Sequence, residues 1–407
     1  MKEKFALIGK TLKHSYSKKI HTLFNKYDYD LVELTEEQLE DFAVNGDYRC
    51  YNVTIPYKKD IMKYLDKIDE SAQFIGSVNT VVNRGGVKTG YNTDFIGMIY
   101  MLNRAKIKIK GKSVMILGSG GTGNTAIAVS KYLGAKTVRV ISRSGEFNYE
   151  NCYNFVDTEI IINTTPVGMY PNTENSPIDV KRFKKLKGVV DVIYNPANTK
   201  LLMEATEQGI KYTNGLPMLV AQAKFAMERF LDEKASDDII EEIIKKLSRE
   251  VTNIVLIGMP GSGKSTIAKN LSALLDMELI DTDEEIVKRA GKSISEIFDN
   301  HGEDRFRSIE REVLQEVGKL SGKIIATGGG VVKNPNNYFT LKQNGIIFWV
   351  KRPIKELDKS GRPLSKDYLA VKKLYKERKK LYKNFADHII YNGKSLEKAV
   401  KGIIDLL

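Results

Sequence analysis

The chain has 407 residues, more than one compact domain usually holds, so we expect two or three domains. Its apolar fraction of 42% and charged fraction of 28% exclude a disordered or fibrous protein. The net charge of +13 suits small anionic ligands, and because the lysines are spread along the chain we expect neither a nucleic-acid partner nor a membrane. Two cysteines and no membrane-length apolar run predict a reduced, cytoplasmic protein, with the oligomeric state left open.

Four short polar clusters lie in the first hundred residues, near the strand candidates FALIG and VNTVV. They are HSYS (14–17), NVTIPYK (52–58), SVNT (77–80) and GYNTDFIG (90–97). Any one of them is typical of a turn, and Asp94 also suits a helix N-cap. Together they offer hydroxyl and amide groups for a polyol or carboxylate, with Lys58 and Asp94 as the charged pair. We therefore expect an α/β unit that carries a small-molecule site.

The next segment, KSVMILGSGGTGNTAIAVSKYLG (112–134), has the pattern strand, glycine turn, helix. Glycines permit the sharp turn and bring backbone N–H groups close to a pyrophosphate at a helix N-terminus. A purely structural turn is the alternative, but the flanking strand and helix favour a dinucleotide site. The predicted contacts are Gly118, Ser119, Gly120, Gly121 and Thr122.

The end of the following strand, TVRVI, indicates which dinucleotide is bound. An NAD site needs a carboxylate there for the ribose hydroxyls, whereas Ser142 and Arg143 suit a 2′-phosphate. We therefore expect NADP(H). Glu146 lies close in sequence and keeps NAD open as the alternative.

A long helical stretch is predicted for residues 222–250, where apolar positions recur at helical spacing. The apolar pattern ends at the polar KLSREVTN (246–253), which leads into another strand. We place a domain boundary at about residue 250 for that reason.

GMPGSGKST (258–266) satisfies the P-loop pattern in full, between the strand NIVLI and the helix TIAKNLSALL. In such a loop the N–H groups surround the phosphates, Lys264 reaches the β and γ phosphates, and the Ser265 hydroxyl binds Mg²⁺. The predicted nucleotide contacts are Gly261, Ser262, Gly263, Lys264, Ser265 and Thr266.

Three later motifs suggest a phosphoryl acceptor. In LIDTDEEI, Asp281 and Asp283 are two residues apart, so in an extended chain one would face a metal and the other an acceptor hydroxyl; a helix N-cap is the alternative. GEDRFRSIERE, with Arg307, is by itself typical of a salt-bridged helix face. ATGGGVV (326–332) predicts a glycine turn that lets a ligand approach the backbone.

With INTTPVGM (162–169), DVIYNPANTKLL (191–202) and NGLPMLVAQA (214–223) added in order, residues 1–235 resemble the shikimate dehydrogenase family. The resemblance implies a catalytic pair, Lys58 and Asp94, and places Gly215 beside the nicotinamide. Compared with the family, the segment between Arg143 and Asn163 is short, so we expect much of a crossover helix to be missing. The implied shikimate contacts are Ser15 and Ser17 for the carboxylate, and Thr54, Asn79, Tyr194 and Gln222 for the ring and hydroxyls.

Residues 252–407 resemble the shikimate kinase family, through the P-loop, DTD, GEDRFRSIE, TGGG, GRPLS (361–365) and RKKLY (378–382). The resemblance implies ATP and Mg²⁺, with Ser265 and Asp281 at the metal and Arg362 folding over ATP from a lid. Lys264 and Asp283 would be the catalytic residues. Shikimate would be held by Asp283, Arg307, Gly329 and Arg378.

The sequence thus predicts an α/β protein with a dehydrogenase part (1–250) and a P-loop kinase part with a parallel sheet (251–407). Within the first part, 1–95 and 222–245 would form the substrate lobe and 96–221 a Rossmann lobe for NADP. The predicted function is reduction of 3-dehydroshikimate to shikimate, followed by phosphorylation to shikimate 3-phosphate. The alternatives are an inactive shikimate- or quinate-sensing regulator with the same domains, and a dehydrogenase that prefers quinate or NAD.

Overall fold

A computed structural model describes residues 3–13, 15–357, 368–393 and 395–407. The chain divides into two compact units, Met1–Lys246 and Leu247–Leu407. Both are α/β, which confirms the predicted fold class. Among the described residues, no helix is both long and apolar enough to cross a membrane.

The first sheet of unit 1 is mixed, with strand order β2-β1-β3-β5-β6-β4. β5 runs antiparallel to both of its neighbours, and the other pairs are parallel. Its strands are β1 (Phe5–Gly9), β2 (Asp30–Glu33), β3 (Cys50–Val53), β4 (Lys67–Ile68), β5 (Thr80–Arg84) and β6 (Val87–Tyr91).

The second sheet of unit 1 is entirely parallel, with order β11-β10-β9-β7-β8. The chain leaves β7 on one side to form β8 and returns on the other side as β9. In open parallel sheets, ligands bind at the carboxyl ends of the strands where the order reverses in this way. The strands are β7 (Ser113–Leu117), β8 (Thr137–Ile141), β9 (Ile160–Asn163), β10 (Gly188–Asp191) and β11 (Lys211–Thr213).

The connection from β8 to β9 contains only one short 3₁₀ turn, Cys152–Asn154, and no α-helix. This confirms the expected loss of a crossover helix. β8 is an edge strand of its sheet.

Eight helices surround these sheets or follow them in the described part of the chain. α4 packs along α7, and Gly97 permits the close approach because a Cβ there would lie 2.9 Å from the carbonyl oxygen of Met218. The helices are α1 (Ser17–Leu23), α2 (Gln38–Asn45), α3 (Glu70–Ile75), α4 (Thr93–Arg104), α5 (Gly121–Tyr132), α6 (Lys200–Glu207), α7 (Leu216–Leu231) and α8 (Asp238–Val251).

The single long helical stretch predicted for 222–250 is wrong, because α7 ends at Leu231 and α8 begins at Asp238. Asp232 ends α7 in a left-handed conformation, with φ of 58°. The intervening turn is held by side chains of α7: Glu228 accepts the backbone N–H of Ala235, and Lys224 donates to Asp237. Apolar periodicity on both sides of the turn concealed the break.

Unit 2 has one parallel sheet, ordered β13-β14-β12-β15-β16, with β12 at its centre. Its strands are β12 (Asn253–Ile257), β13 (Leu279–Asp281), β14 (Ile324–Ala326), β15 (Gly345–Lys351) and β16 (His388–Tyr391). Its helices are α9 (Lys264–Leu275), α10 (Thr282–Ala290), α11 (Ile294–Val317, broken at Gly302), α12 (Asn336–Lys342), α13 (Tyr368–Phe385) and α14 (Leu396–Ile404).

Candidate active sites

A cavity of about 350 Å³ in unit 1 collects the predicted substrate residues. Its polar lining comes from the segment before α1, the end of β3, the start of β5, the end of β10 and α7. The predicted residues that line it are Ser15, Ser17, Thr54, Lys58, Asn79, Tyr194 and Gln222.

The charged pair of this site is formed by Lys58 and Asp94. Lys58 Nζ donates to Asp94 Oδ2 at 2.6 Å, and the two side chains are 22% and 8% exposed. Asp94 lies in the first turn of α4, after the N-cap residue Asn92, so it is not the N-cap that its sequence position also allowed. An ammonium held beside a carboxylate in a cavity is a suitable proton donor to a bound oxygen.

Asn79 connects the pair to the rest of the lining. Its Oδ1 accepts hydrogen bonds from the backbone N–H and hydroxyl of Thr93, the residue before Asp94. Its Nδ2 donates to Gln222 Oε1 at 3.3 Å. These bonds fix the start of α4 against α7, so the groups predicted to hold the ring and the charged pair are positioned together.

Sequence reasoning missed several lining residues of this cavity, among them Tyr16, His21 and Asn52. Asn52 belongs to the NVTIPYK cluster, where its amide was an available signal. Tyr16 packs edge-on against Tyr194, with ring centroids 5.4 Å apart. Nothing in the spacing of the sequence indicated that His21 lines the cavity, because its position depends on contacts with residues distant in sequence.

His21 is buried in a polar and aromatic network. Its Nδ1 lies 2.6 Å from the hydroxyl of Tyr27, and its ring stacks on Tyr29 at 3.9 Å. The Tyr29 hydroxyl donates to Asn52, whose amide donates in turn to the carbonyl of Asn79. Burial lowers the pKa of His21 to about 3, so the His21 ring, which lines the cavity, is uncharged at neutral pH.

The predicted dinucleotide loop follows β7 as expected. Gly118 has φ of +103°, a conformation that favours glycine, and a Cβ on Gly123 would lie 2.4 Å from the Gly118 carbonyl oxygen. Ser119 and Gly120 complete the turn, and Gly121 and Thr122 begin α5. The Cβ positions of Gly120 and Gly121 face open space, which leaves room for a ligand against the backbone.

Two further groups of the predicted cofactor site lie at other strand ends. Ser142 and Arg143 follow β8, which is parallel and adjacent to β7, so the two strand ends lie side by side. Arg143 and Glu146 are both exposed. Gly215 precedes α7 and touches the backbone of Val192 so closely that a Cβ would lie 1.9 Å from its carbonyl oxygen.

A larger cavity of about 720 Å³ in unit 2 is formed around the P-loop. Ser262 is buried beside it, with its hydroxyl lacking a hydrogen-bond partner among the described residues, and Arg362 lies outside the described residues. The predicted residues that line the cavity are Gly261, Gly263, Lys264, Ser265, Thr266, Asp281, Asp283, Arg307, Gly329 and Arg378.

The predicted metal ligands are in contact, since Ser265 Oγ donates to Asp281 Oδ2 at 2.8 Å. Hard oxygen ligands of this kind suit Mg²⁺, which usually keeps several waters and binds substrate phosphates as well. No group of three or more His, Cys, Asp or Glu in the described ranges is arranged to hold a metal ion. Two protein oxygens leave the remaining coordination positions of such an ion for waters and phosphate oxygens.

The expectation that Asp281 and Asp283 point to opposite faces of an extended strand is wrong. Residues two apart in a strand share a face, and β13 ends at Asp281. Asp281 is the N-cap of α10, and its Oδ1 accepts the backbone N–H of Asp283 in the first helical turn. Both carboxylates nevertheless line the cavity. Burial, assisted by the charge of Asp281, raises the pKa of Asp283 to about 6.

Glu310 is the main residue of this cavity that sequence reasoning left on a helix face. It is buried, accepts Arg307 Nη1 at 2.6 Å, and has a second oxygen, Oε1, without a hydrogen-bond partner among the described residues. Asp283 Oδ1 is unsatisfied in the same way, and both oxygens border Gly328. Two buried acceptors side by side suit a ligand that brings hydroxyl groups.

The glycine turn after β14 lies directly against charged and rigid groups. A Cβ on Gly330 would be 2.2 Å from the guanidinium of Arg307, and one on Gly329 would be 2.5 Å from Pro260 of the P-loop. Arg378 donates to the carbonyl of Gly329 at 2.9 Å. The turn therefore brings both arginines to one wall of the cavity, where guanidinium groups suit a carboxylate.

Family models match both parts of the chain. Residues 7–81 match the shikimate dehydrogenase substrate binding domain, and residues 260–407 match shikimate kinase. The shikimate dehydrogenase (NADP(+)) of Clostridium perfringens is 37% identical over 268 residues, which cover 60% of this chain and 97% of that protein.

Solved structures of shikimate dehydrogenases also match this chain. A chorismate mutase/shikimate 5-dehydrogenase fusion protein from Clostridium acetobutylicum matches with a TM-score of 0.57 and 37% identity, covering 61% of this chain and 97% of that chain. Shikimate 5-dehydrogenase from Listeria monocytogenes, in complex with shikimate and NAD, matches with a TM-score of 0.54 and 30% identity, covering 60% and 96%. Both resemblances inferred from the motifs are confirmed, so the chain combines an oxidoreductase with a kinase. It belongs to the shikimate dehydrogenase family and carries a shikimate kinase domain in residues 260–407.

Proposed function

We propose that residues 1–250 reduce 3-dehydroshikimate to shikimate with NADPH, and that residues 251–407 transfer the γ-phosphoryl group of ATP to the 3-hydroxyl of shikimate. The observation that carries the proposal concerns two buried acceptors in the P-loop cavity. Asp283 Oδ1 and Glu310 Oε1 have no hydrogen-bond partner in the described part of the chain. They suit a polyol that also has a carboxylate for Arg307 and Arg378. The dehydrogenase part produces such a molecule.

In the dehydrogenase step, bound NADPH supplies a hydride to the ketone carbon. Ser15 and Ser17 would bind the substrate carboxylate, while Asn79 and Gln222 orient the ring. Lys58 then donates a proton to the ketone oxygen as negative charge develops there, and is reprotonated from solvent. Asp94, 2.6 Å away, holds the ammonium in position.

In the kinase step, ATP with Mg²⁺ supplies the phosphoryl group. Arg307 and Arg378 would bind the shikimate carboxylate, and Asp283 would accept a hydrogen bond from the attacking hydroxyl and take its proton. Lys264, which donates to the carbonyl oxygens of Gly258 and Met259, would turn toward the phosphates when ATP binds. The chain thus contributes positioning and charge neutralisation, which are the main requirements of phosphoryl transfer.

NADPH is proposed over NADH because of Arg143 at the end of β8. We expect Arg143→Ala to raise KM for NADPH about tenfold or more and to leave KM for NADH within about twofold, since only NADPH has a 2′-phosphate. The measurement is initial-rate kinetics with both cofactors. Equal KM changes for the two would contradict the assignment and would favour Glu146 as the ribose contact.

The proposal is tested by mass spectrometry of the products formed from 3-dehydroshikimate, NADPH, ATP and Mg²⁺. We expect shikimate 3-phosphate, and none when either NADPH or ATP is omitted. Lys264→Ala should stop at shikimate, and Lys58→Ala should form the phosphate only when shikimate is supplied. Folded protein that binds shikimate without turnover would instead indicate a sensing regulator, and faster turnover of quinate with NAD would overturn the substrate and cofactor assignment.

A further inference from the structure

Arg352 lies beside the P-loop although no motif includes it. It directly follows β15, which pairs with β12, the strand that leads into the P-loop. The two strand ends are in close contact, because a Cβ on Gly258 would lie 2.4 Å from the carbonyl oxygen of Val350. The side chain of Arg352 lines the 720 Å³ cavity together with Gly261, Gly263 and Lys264.

The guanidinium of Arg352 is incompletely satisfied. Its Nε is buried and has no hydrogen-bond partner among the described residues. The carboxylate of Glu356 is 3.7 Å from Nε, too far for a hydrogen bond. A buried donor without a partner among the described residues is unfavourable, so the position of this Nε in the fold calls for an explanation.

The other two arginines that line the cavity are directed elsewhere. Arg307 donates to Glu303 and Glu310, and Arg378 donates to the carbonyl of Gly329. Both belong to the wall formed by the glycine turn. Arg352, in contrast, lines the cavity from the end of β15, next to the P-loop.

A nucleoside triphosphate carries more negative charge than one Mg²⁺ and one lysine neutralise. A guanidinium can donate two parallel hydrogen bonds to a phosphate, and its Nε is one of the donors suited to this geometry. An arginine at the end of β15 with an unsatisfied Nε therefore has the chemistry and the location for a phosphate contact.

We propose that Arg352 binds the phosphate chain of the nucleotide, as a protein cation in addition to Lys264. The inference rests on the proposed kinase function and deepens it. It assigns part of the affinity for the charged phosphates to a residue outside the P-loop. Arg352 is thereby a binding residue of the nucleotide and has no part in holding the acceptor.

The test compares Arg352→Gln and Arg352→Ala with Lys351→Gln in the full chain. Lys351 is a matched control, because it is the adjacent cation but lies over Trp349 and Tyr391 and does not line the cavity. Titration calorimetry with Mg²⁺ measures the Kd of ADP and ATP without shikimate. Steady-state kinetics then give KM for ATP and for shikimate.

We expect both Arg352 variants to weaken ADP and ATP binding about tenfold, with KM for ATP raised in parallel and KM for shikimate changed less than about twofold. Lys351→Gln should leave all four values within about twofold. Arg352→Lys should recover part of the affinity, because it restores the charge without the planar fork. Circular dichroism establishes whether each variant is folded. If Arg352→Ala does not fold, the comparison uses Arg352→Gln.

ADP and ATP affinities that stay within about twofold in the folded Arg352→Gln variant would overturn the inference. An equal loss of affinity for adenosine would also overturn it, because the contact would then be to the nucleoside. A different outcome is that ATP binding depends on Arg352 but the wild-type chain does not phosphorylate shikimate. That outcome would support the inference and refute the proposed kinase substrate. The two failures are therefore distinguishable.

Discussion

Single side chains decide the chemistry of the dehydrogenase cavity, and the Lys58–Asp94 contact is the clearest example. Lys58 and its neighbour Lys59 are adjacent in sequence, but only Lys58 lines the cavity and donates to a buried carboxylate, while Lys59 is exposed. Neighbouring residues of the same type therefore make a matched pair for mutation.

We expect Lys58→Ala to lower kcat for ketone reduction by roughly 10²–10⁴, the contribution of a positioned proton donor. Lys59→Ala should leave the rate within about twofold, and neither variant should change kinase activity. Cofactor oxidation and a coupled kinase assay measure the two reactions separately. A reduction rate in Lys58→Ala close to that of Lys59→Ala would refute the proposed role.

His21 makes the stability of unit 1 dependent on pH. The pKa of a histidine is about 6.5 in an unfolded chain, and burial among Tyr27, Tyr29 and Phe230 lowers that of His21 to about 3. Below pH 6.5 the unfolded chain binds a proton that the folded chain does not. The stability that unit 1 gains from a neutral, buried His21 is therefore complete above pH 6.5. It is lost as the pH falls toward 3.

At pH 5 the loss due to His21 amounts to about 2 kcal/mol in the free energy of unfolding. We expect His21→Asn to be less stable than wild type at pH 7.5 but to lose less stability between pH 7.5 and pH 5. His301→Asn, at an exposed position, should keep the wild-type pH dependence. Urea unfolding at both pH values measures these free energies. If His21→Asn lost as much stability as wild type between pH 7.5 and pH 5, the His21 ring would be protonated in the folded protein at pH 5.

Among the secondary elements, the break between α7 and α8 depends on a buried ion pair. Lys224 donates to Glu228 one turn later and to Asp237 beyond the turn, and Lys224 and Glu228 are 3% and 6% exposed. α7 also carries Gln222, so the pair fixes a helix that lines the substrate cavity.

We expect Lys224→Met to lower the free energy of unfolding of unit 1 by about 3 kcal/mol, because Glu228 would be left buried without its main partner. Lys234→Met removes an ion-pair partner of Glu228 that is 91% exposed, and should change stability by less than about 0.5 kcal/mol. Chemical denaturation measures both. Equal effects of the two variants would mean that the buried pair contributes no more than a surface contact.

The elements also show where reasoning from sequence succeeds. The turns after β7 and β12 were predictable because glycine at fixed positions is required for close approach of a backbone to phosphates. The break at Asp232 was not, because it results from Glu228 and Lys224 binding the turn, which apolar periodicity does not record. The position of Asp283 in a helix follows from the N-cap that Asp281 provides, which was the alternative that the sequence offered.

At the scale of the whole molecule, each unit has hydrophobic clusters of its own. Trp349 is the only tryptophan of the chain and is buried in unit 2. Its fluorescence therefore reports on the unfolding of that unit. A ligand that binds only the folded form of one unit stabilises that unit by mass action.

We expect ADP with Mg²⁺ to raise the midpoint of the thermal transition followed by tryptophan fluorescence, and NADP⁺ to leave it within about 1 °C. At ligand concentrations of 100 Kd the stabilisation is about 2.7 kcal/mol, which shifts a midpoint by several degrees. Calorimetry should show NADP⁺ acting on a separate transition. A shift of the tryptophan signal by NADP⁺ equal to that caused by ADP would refute independent unfolding.

The sequence by itself determined the class of protein, an oxidoreductase combined with a kinase. Two phosphate-binding loops need glycines at fixed spacings, and the motifs around them resemble two enzyme families. It also indicated which residues would bind substrate, and these line two cavities. Only the tertiary structure brought His21, Glu310 and Arg352 into those cavities, since each depends on partners from other strands and helices. Burial and unsatisfied hydrogen bonds arise when the chain is packed, and no local pattern encodes them.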